Sequence, residues 1–413
     1  MNKTDYDIVI VGGGLVGASL ACALGDQDLR IAVVEAFAFD APDQPSFDAR
    51  TVALAEASQV IFETLGLWDE IEQLGVTPIQ NIHISDRSHS GLTHLDSKEQ
   101  GVDALGYVVE MRILGKILGQ RMSTLDNVDY LCPATLEDVR FSDQHASLRI
   151  VQDQQEQEIT TRLVVAADGG KSIVRQQAGV QSWQTSYGQT AVIANVATDQ
   201  PHNNIAYERF TDTGPMALLP TTHPDTPDSM YALVWTVKEA KRDELLALDD
   251  AEFLQRLQQR FGVRAGRFVK ASKRHAYPLS MSLAKEHVRH RLAFIGNAAH
   301  TMHPVAGQGF NLGLRDVASL AQVIVDGTQK NTDIGDLQLL QTYAKWRRKD
   351  HIQSMGFTDG LVRVFSSRFP PLMLARNVGL LALDVLPGLK HRVARQAMGY
   401  VGKMSRLARG LRL

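Results

Sequence analysis

Short apolar runs, and the breaks between them, organise this chain. The run YDIVIV starting at Tyr6 is rich in β-forming residues, GGGLVG interrupts it, ASLACALGD reads as helix, and IAVVE closes a second strand at Glu35. Strand, glycine break, helix and strand in that order predict a βαβ unit, which sets the class as α/β with a parallel sheet. Two later runs, LVVAADG at 163–169 and LAFIGN at 292–297, are continuously apolar and end in glycine beside a polar residue, as strands buried on both faces do. Three such strand ends point toward one ligand. Within 81–95 and 187–237 the texture changes: stretches such as AVIANVAT and YALVWTV alternate, which predicts antiparallel strands of a second sheet.

From about residue 338 the spacing turns helical, with breaks at Pro370, Pro371 and Pro387. No acidic residue follows Asp384, whereas Lys390, Arg392, Arg395, Lys403, Arg406, Arg409 and Arg412 do. Val393, Ala397, Tyr400, Met404, Leu407 and Leu411 recur at alternating spacings, so the stretch reads as a basic amphipathic helix, weakened by Gly399, Gly402 and Gly410. Two readings stay open for it: a solvated terminal helix packed on its own domain, or a surface that docks on a membrane or a partner.

Composition narrows the function classes. With 413 residues, 44% hydrophobic and 22% charged, the chain has room for two or three domains and matches soluble globular proteins. Lys and Arg total 43 against 46 Asp and Glu, so no overall field favours nucleic acid. No apolar run reaches the ~18 residues of a membrane span. The opening MNKTDYDIVIVGGG lacks the basic-then-apolar layout of a secretory signal, so the expected address is the cytoplasm, with peripheral contact to the inner membrane as its extension. Cys22 and Cys132 read as small buried hydrophobes rather than a disulfide or zinc site.

Chemistry concentrates at the strand ends. Gly12, Gly14 and Gly17 form G-x-G-x-x-G between a strand and a helix: the first allows the tight turn, the second lets backbone approach a pyrophosphate, and the third lets helix pack on strand. Glu35 ends the next strand, where a carboxylate accepts the hydroxyls of an adenosine ribose. These residues indicate dinucleotide binding without separating NAD from FAD. The separation comes from Asp168-Gly169 within ADGGKSIVR and Gly296-Asn297 within FIGNAAHTMHPVAGQGFNLGLRD. With these three motifs in order, the chain resembles the aromatic-hydroxylase group of FAD-dependent monooxygenases, similar in fold to para-hydroxybenzoate hydroxylase, over nearly its whole length.

The resemblance implies a Rossmann-like FAD-binding domain assembled from 1–80, 105–180 and 276–340, an inserted substrate domain of mixed or antiparallel sheet from 81–104 and 181–275, and a helical C-terminal region, 341–413. It places Glu35 on the adenosine ribose, Arg50 and Arg112 near the phosphates or ribityl chain, and Asp168 with Gly169 beside the cofactor. Asn297 stands where the family usually has Asp on the ribityl hydroxyls; an amide still accepts one hydrogen bond but carries no charge. The segment Pro304–Asn311, with Gly307, Gly309, Phe310 and Asn311, is expected against the isoalloxazine ring, the amides of Phe310 and Asn311 at a helix start favouring negative charge on reduced flavin. His300 and His303 lie inside this stretch and lack further ligand neighbours, so no metal is expected.

Only one G-x-G-x-x-G occurs, so NAD(P)H is expected as a transient reductant without a domain of its own. The resemblance implies hydride transfer to FAD, oxygen capture as a C4a-hydroperoxyflavin and oxygen transfer to an electron-rich phenol, with no catalytic side chain singled out. The stretches SDRSHSGLTHL, ALGYVVEMR, AVIANVATD and ERFTDTGPMALLP look like those of the ubiquinone-biosynthesis hydroxylases, most of all the 2-polyprenyl-6-methoxyphenol hydroxylases, which form the 1,4-benzoquinol. Hydroxylation at another ring position is the alternative. A halogenase is disfavoured by the missing W-x-W-x-x-P, and a non-catalytic carrier of prenylated partners by the presence of Asp168, Asn297 and Pro304–Asn311. A lipid-tailed substrate needs an apolar channel, for which Tyr207, Phe210, Met216, Leu218, Tyr231 and Trp235 are candidates. A partner complex of biosynthetic proteins is the other expected association.

Overall fold

The structure is a computed structural model that describes residues 4–38, 50–87, 91–222, 228–302, 308–366, 376, 379, 382–383 and 385–413. The α/β class expected from the first strands is the class the chain adopts. Its first sheet carries five adjacent parallel strands in the order Leu292–Phe294, Gln155–Ala166, Tyr6–Val11, Ile31–Val34 and Val128–Leu131. Ile8, Val9, Ile10, Val33, Val164 and Val165 are completely buried, which explains why these strands read as unbroken apolar runs. Helices Leu15–Leu24, Met111–Ser123 and Gln308–Gln329 pack on one face, and a hairpin of Ala134–Phe141 and Ala146–Gln152 packs its side chains into the core on the other.

The second sheet runs His275–Ala284, Ser182–Thr198, Met230–Lys238, Gly214–Thr221, Ile205–Thr211, Asn81–Asp86 and Leu92–Asp96, antiparallel except where Ile205–Thr211 pairs with Asn81–Asp86. Successive side chains leave a strand on opposite faces, so each face has its own job. On one, Met216, Leu218, Tyr231 and Trp235 pack against Phe253, Leu257 and Phe261 of helix Asp250–Phe261. On the other, Ala206 and Leu219 turn toward Ile79 and Val108 of a small three-stranded sheet made by Thr51–Ala55, Gly106–Glu110 and Thr77–Ile79.

The terminal stretch departs from its sequence reading. The helix spans Pro387–Ala397 and stops, because Gly399, Gly402 and Gly410 adopt φ of +85°, +62° and +75°, a region closed to a continuing right-handed helix. Ala394 and Met398 bury against Leu95 and Leu105 of the second sheet's neighbourhood. Beyond them the chain returns to the first domain, where Leu407 and Ala408 join the core and the Leu407 carbonyl accepts from Thr64 Oγ1 at 3.1 Å. No helix among the described residues is long and apolar enough to cross a membrane.

Candidate active site

The parallel strands all end at one edge of the first sheet, and four loops gather there. Gly12 follows strand Tyr6–Val11 at φ +102°, and a Cβ on it would stand 2.6 Å from the Ala167 carbonyl oxygen. A Cβ on Gly17 would stand 1.9 Å from the Gly12 oxygen, so neither position takes any other residue without moving backbone. Gly14 is the N-cap of helix Leu15–Leu24, whose first amides therefore face this edge. Glu35 reaches back from the next strand: its Oε2 accepts from Gly13 N–H at 2.6 Å and its Oε1 from Phe37 N–H at 2.9 Å.

Asp168 and Gly169 follow strand Gln155–Ala166. Asp168 Oδ2 accepts from the amides of Ile173 and Val174 at 2.7 and 3.2 Å, while Oδ1 is buried with no hydrogen-bond partner among the described residues. Burial raises the pKa of this carboxyl, against the pull of the Ser172 hydroxyl and of those amide bonds. Asn297 sits in the turn after Leu292–Phe294 with its side chain exposed. Arg50 and Arg112 meet at a different place: Arg50 precedes strand Thr51–Ala55 with its guanidinium 4.9 Å from the Tyr277 ring, and its carbonyl accepts from Met111 N–H at 2.8 Å. Arg112 begins helix Met111–Ser123, largely exposed and paired with Glu110.

Pro304 and Gly307 lie outside the described residues. Gly309, Phe310 and Asn311 occupy the first turn of helix Gln308–Gln329. A Cβ on Gly309 would meet nothing within 4 Å, so its free side faces open space. Phe310 stacks toward Phe62 with centroids 6.4 Å apart. The Asn311 side chain turns inward: its Oδ1 accepts from Ala55 N–H and Ser58 Oγ at 2.8 and 2.7 Å, and its Nδ2 donates to the Ala53 carbonyl.

Behind this helix lies a charge cluster that the sequence pattern did not reveal. Asp316, with no exposure, accepts from His300 Nε2, His351 Nε2 and Arg347 Nε, each at 2.7 Å, and from Gly296 N–H at 3.1 Å. Arg347 also pairs with Asp350, which Arg315 approaches at 3.1 Å. Burial opposes the charge on Asp316, but His351, His300 and Arg347 together hold its carboxyl well below the usual carboxylate range. Its function in the fold is to fasten the Gly296–Asn297 turn to the helix.

Beside the helix start is a cavity of about 390 Å³. Ala53, Leu54 and Ala55 line it from the small sheet, Ile82, Ile84, Ala206 and Phe210 from the second sheet, and Leu361, Phe365, Val393 and Ala397 from the C-terminal helices. Gln308 and Asn311 bound it at the helix start. Phe210 stacks on Phe365 with centroids 3.8 Å apart, and Arg376, also in the wall, bonds Asp86 Oδ2 at 2.8 Å. Of the channel candidates, Phe210 lines this space, whereas Tyr207, which only borders it, packs with Met216, Leu218, Tyr231 and Trp235 in the core on the other face of the sheet. The strand period decides this: Tyr207 pairs with Leu218 and Leu218 with Leu233, which carries that face toward helix Asp250–Phe261. The one charged residue on the cavity face of strand Ile205–Thr211 is Glu208, between Ala206 and Phe210, and it escaped notice in the sequence although the alternation A-x-E-x-F displays it.

Known proteins resemble this chain over most of its length. The FAD binding domain family matches residues 5–356. Ubiquinone hydroxylase UbiL of Rhodospirillum rubrum is 38% identical over 394 residues, which cover 95% of this chain and 89% of that protein. The 3-demethoxyubiquinol 3-hydroxylase of Escherichia coli K12 is 31% identical over 404 residues, covering 97% of this chain and 100% of that protein. Among solved structures, p-nitrophenol 4-monooxygenase PnpA from Pseudomonas putida DLL-E4 superposes with a TM-score of 0.77 at 18% identity over 95% of this chain and 98% of that one, a likeness of fold.

Proposed function

The chain belongs to the FAD-binding family of flavin-dependent monooxygenases that includes the ubiquinone-biosynthesis hydroxylases, and from that membership we propose that it hydroxylates a polyprenylated phenol on the route to ubiquinone. The observation that carries the substrate class is the cavity: an almost wholly apolar space whose one end is the helix start expected beside a flavin ring. Each isoprenoid CH₂ taken from water into such a wall contributes ~0.8 kcal/mol, so a tail is held by area rather than by polar contacts. Within the class, the proposed step converts 2-polyprenyl-6-methoxyphenol to the 1,4-benzoquinol with NAD(P)H as reductant.

The strand-end edge suits FAD. Gly12 and Gly17 admit no Cβ, Gly309 leaves one side open, and the orphaned Asp168 Oδ1 lacks a donor that a ligand hydroxyl or amide would provide. Bound FAD supplies hydride acceptance and activation of O₂ for insertion into an aromatic ring. The helix start at Gly14 would receive the pyrophosphate. Glu35 keeps lone pairs beyond its two amide bonds for the ribose hydroxyls. Asn297 would meet the ribityl chain, Arg50 and Arg112 the phosphates or ribityl chain, and Pro304 to Asn311, with Gly307, Gly309 and Phe310, the ring. Phe210, Phe365 and the C-terminal helix exclude water from the space where the phenol stands.

Purified protein reconstituted with FAD should couple NAD(P)H and O₂ consumption to a mass gain of one oxygen in a prenylated phenol. Disrupting the gene should accumulate the phenol precursor. A precursor already hydroxylated at that carbon would move the reaction to another ring position, and no oxidation of any prenylated phenol would overturn the substrate class. For reaching a membrane-borne tail we further propose contact with an anionic bilayer, because Val385 and Leu386 are 74% and 52% exposed just before a helix carrying Lys390, Arg392 and Arg395. Cosedimentation with anionic vesicles, lost when Val385 and Leu386 are both replaced by aspartate, tests it.

A further inference from the structure

Strand Ile205–Thr211 turns Ala206, Glu208 and Phe210 toward the cavity, and both direct strand neighbours of Glu208 are apolar, Ala217 on one side and Ile84 on the other. Among the described residues nothing hydrogen-bonds the Glu208 carboxyl, whose Oε1 is buried without a partner. A lone carboxyl in an apolar wall lowers stability, since an unsatisfied buried acceptor costs ~1–3 kcal/mol, and no packing need explains it. Of the other polar side chains that bound the cavity among the described residues, Asn311 is bonded to Ala53, Ala55 and Ser58 and Arg376 to Asp86, and Gln308 can bond a polar head but not take up its proton. We propose that Glu208 accepts the hydroxyl proton of the phenol bound in this cavity and so activates the ring for oxygenation.

This inference rests on the phenol hydroxylase reading above. In the step proposed, the O–H bond breaks, its proton passes to the Glu208 carboxylate, and the electron pair stays on the phenolic oxygen, raising electron density at the ortho and para carbons. The flavin-dependent oxygenation then adds one oxygen at such a carbon. That carbon loses its hydrogen as a proton to water, while Glu208 returns its own proton to the original oxygen, and the aromatic ring is restored. Burial pushes the Glu208 carboxyl up to about 8, within reach of a phenol and of working pH.

Few other groups can imitate its titration. Among the described residues, the other ionisable groups in the same wall are Tyr207, whose hydroxyl is pushed upward by burial, and Arg376, which is bonded to Asp86. The strands carrying Ala217 and Ile84, the face of helix Leu337–Ser366 with Leu361 and Phe365, and helix Pro387–Ala397 present apolar side chains there.

The test uses the FAD-loaded enzyme and a prenylated phenol. Wild-type kcat/KM should rise with pH through about 8. Glu208→Gln should bind FAD and melt like wild type, lose about 100-fold or more in kcat/KM, and show no such rise. Glu208→Ala should regain activity when formate is added. A Glu208→Gln enzyme within about threefold of wild type with the same pH limb would overturn the role of Glu208 alone, the hydroxylase reading standing. Should the variants fail to fold, the wild-type profile decides: a flat kcat/KM between pH 7 and 9 overturns the proposal. A wild-type enzyme that oxidises no prenylated phenol at any pH would overturn both readings.

Discussion

Replacing Asp316 by asparagine removes the one carboxylate toward which Arg347, His300 and His351 converge. In the parent, Arg347 is 2% exposed and His300, His351 and Asp316 are not exposed at all, so no water replaces the lost charge. Breaking a buried pair on one side strands the other charge and costs ~3–5 kcal/mol, although Asp350 still neutralises part of Arg347. An unfolding entropy of ~2.1 cal/mol/K per residue over 413 residues is about 0.9 kcal/mol/K, so Tm should fall by about 3–6 °C. A second readout separates this from generic damage. Asp316 accepts from Gly296 N–H, and Gly296 precedes the Asn297 turn, so loosening that anchor should weaken FAD by about 5- to 30-fold, equivalent to 1–2 kcal/mol. Thermal unfolding of the FAD-free protein and flavin fluorescence titration give the two numbers. A variant melting within about 1 °C of wild type with unchanged FAD affinity would refute the view that this cluster holds the turn in place.

Gly17→Ala should yield colourless protein with FAD affinity reduced at least about 100-fold, because the new methyl must displace the Gly12 carbonyl it would otherwise overlap; flavin absorbance of the purified variant reports it. Ala206→Phe should fill the cavity and lower kcat/KM for long-tailed phenols by about tenfold or more, with a smaller effect on short-chain phenols and none on FAD binding; overpacking should cost ~1–3 kcal/mol of stability, read by urea unfolding. Acid should weaken the fold through imidazoles that are neutral only when buried. Burial lowers His287 from 6.5 to about 4 and His351 from 6.5 to about 3, so both stay neutral when folded but take up protons when unfolded. Stability is therefore complete above pH 6.5 and lost as pH falls toward about 4 for His287 and about 3 for His351, at ~1.4 kcal/mol per pH unit for each. In the Glu208→Gln background, which removes the opposing proton uptake by a folded-state carboxyl raised to about 8, urea unfolding at pH 7.5 and pH 5 should differ by about 2–4 kcal/mol, and equal midpoints would show these imidazoles to be solvated.

The strand-end edge and its glycine turn were legible early because their demands are local. A turn that leaves no space beside the Ala167 and Gly12 carbonyls requires glycine at Gly12 and Gly17, and a strand buried on both faces is apolar throughout, so residues near each other in sequence carry the message. Asp168 and Asn297 were readable for the same reason, each being the first polar residue beyond such a strand.

The guest's side of the site was not legible in this way. Alternation shows that strand Ile205–Thr211 has two faces, but whether Tyr207 or Glu208 looks into the cavity depends on where helix Asp250–Phe261 settles, and that helix took Met216, Leu218, Tyr231 and Trp235 for the core. The basic tail reads as a single helix by spacing, yet three left-handed glycines and the burial available to Leu407 bend it back onto the first domain. Asp316 meets His351 and Arg347 only because two successive helices pack side by side, a contact with no trace in either local pattern. Local sterics and periodicity thus determined the strands, the glycine turn and the edge where the strands end, whereas the cavity, its lone carboxyl and the charge cluster behind it were decided by which faces find partners when separate segments bury one another.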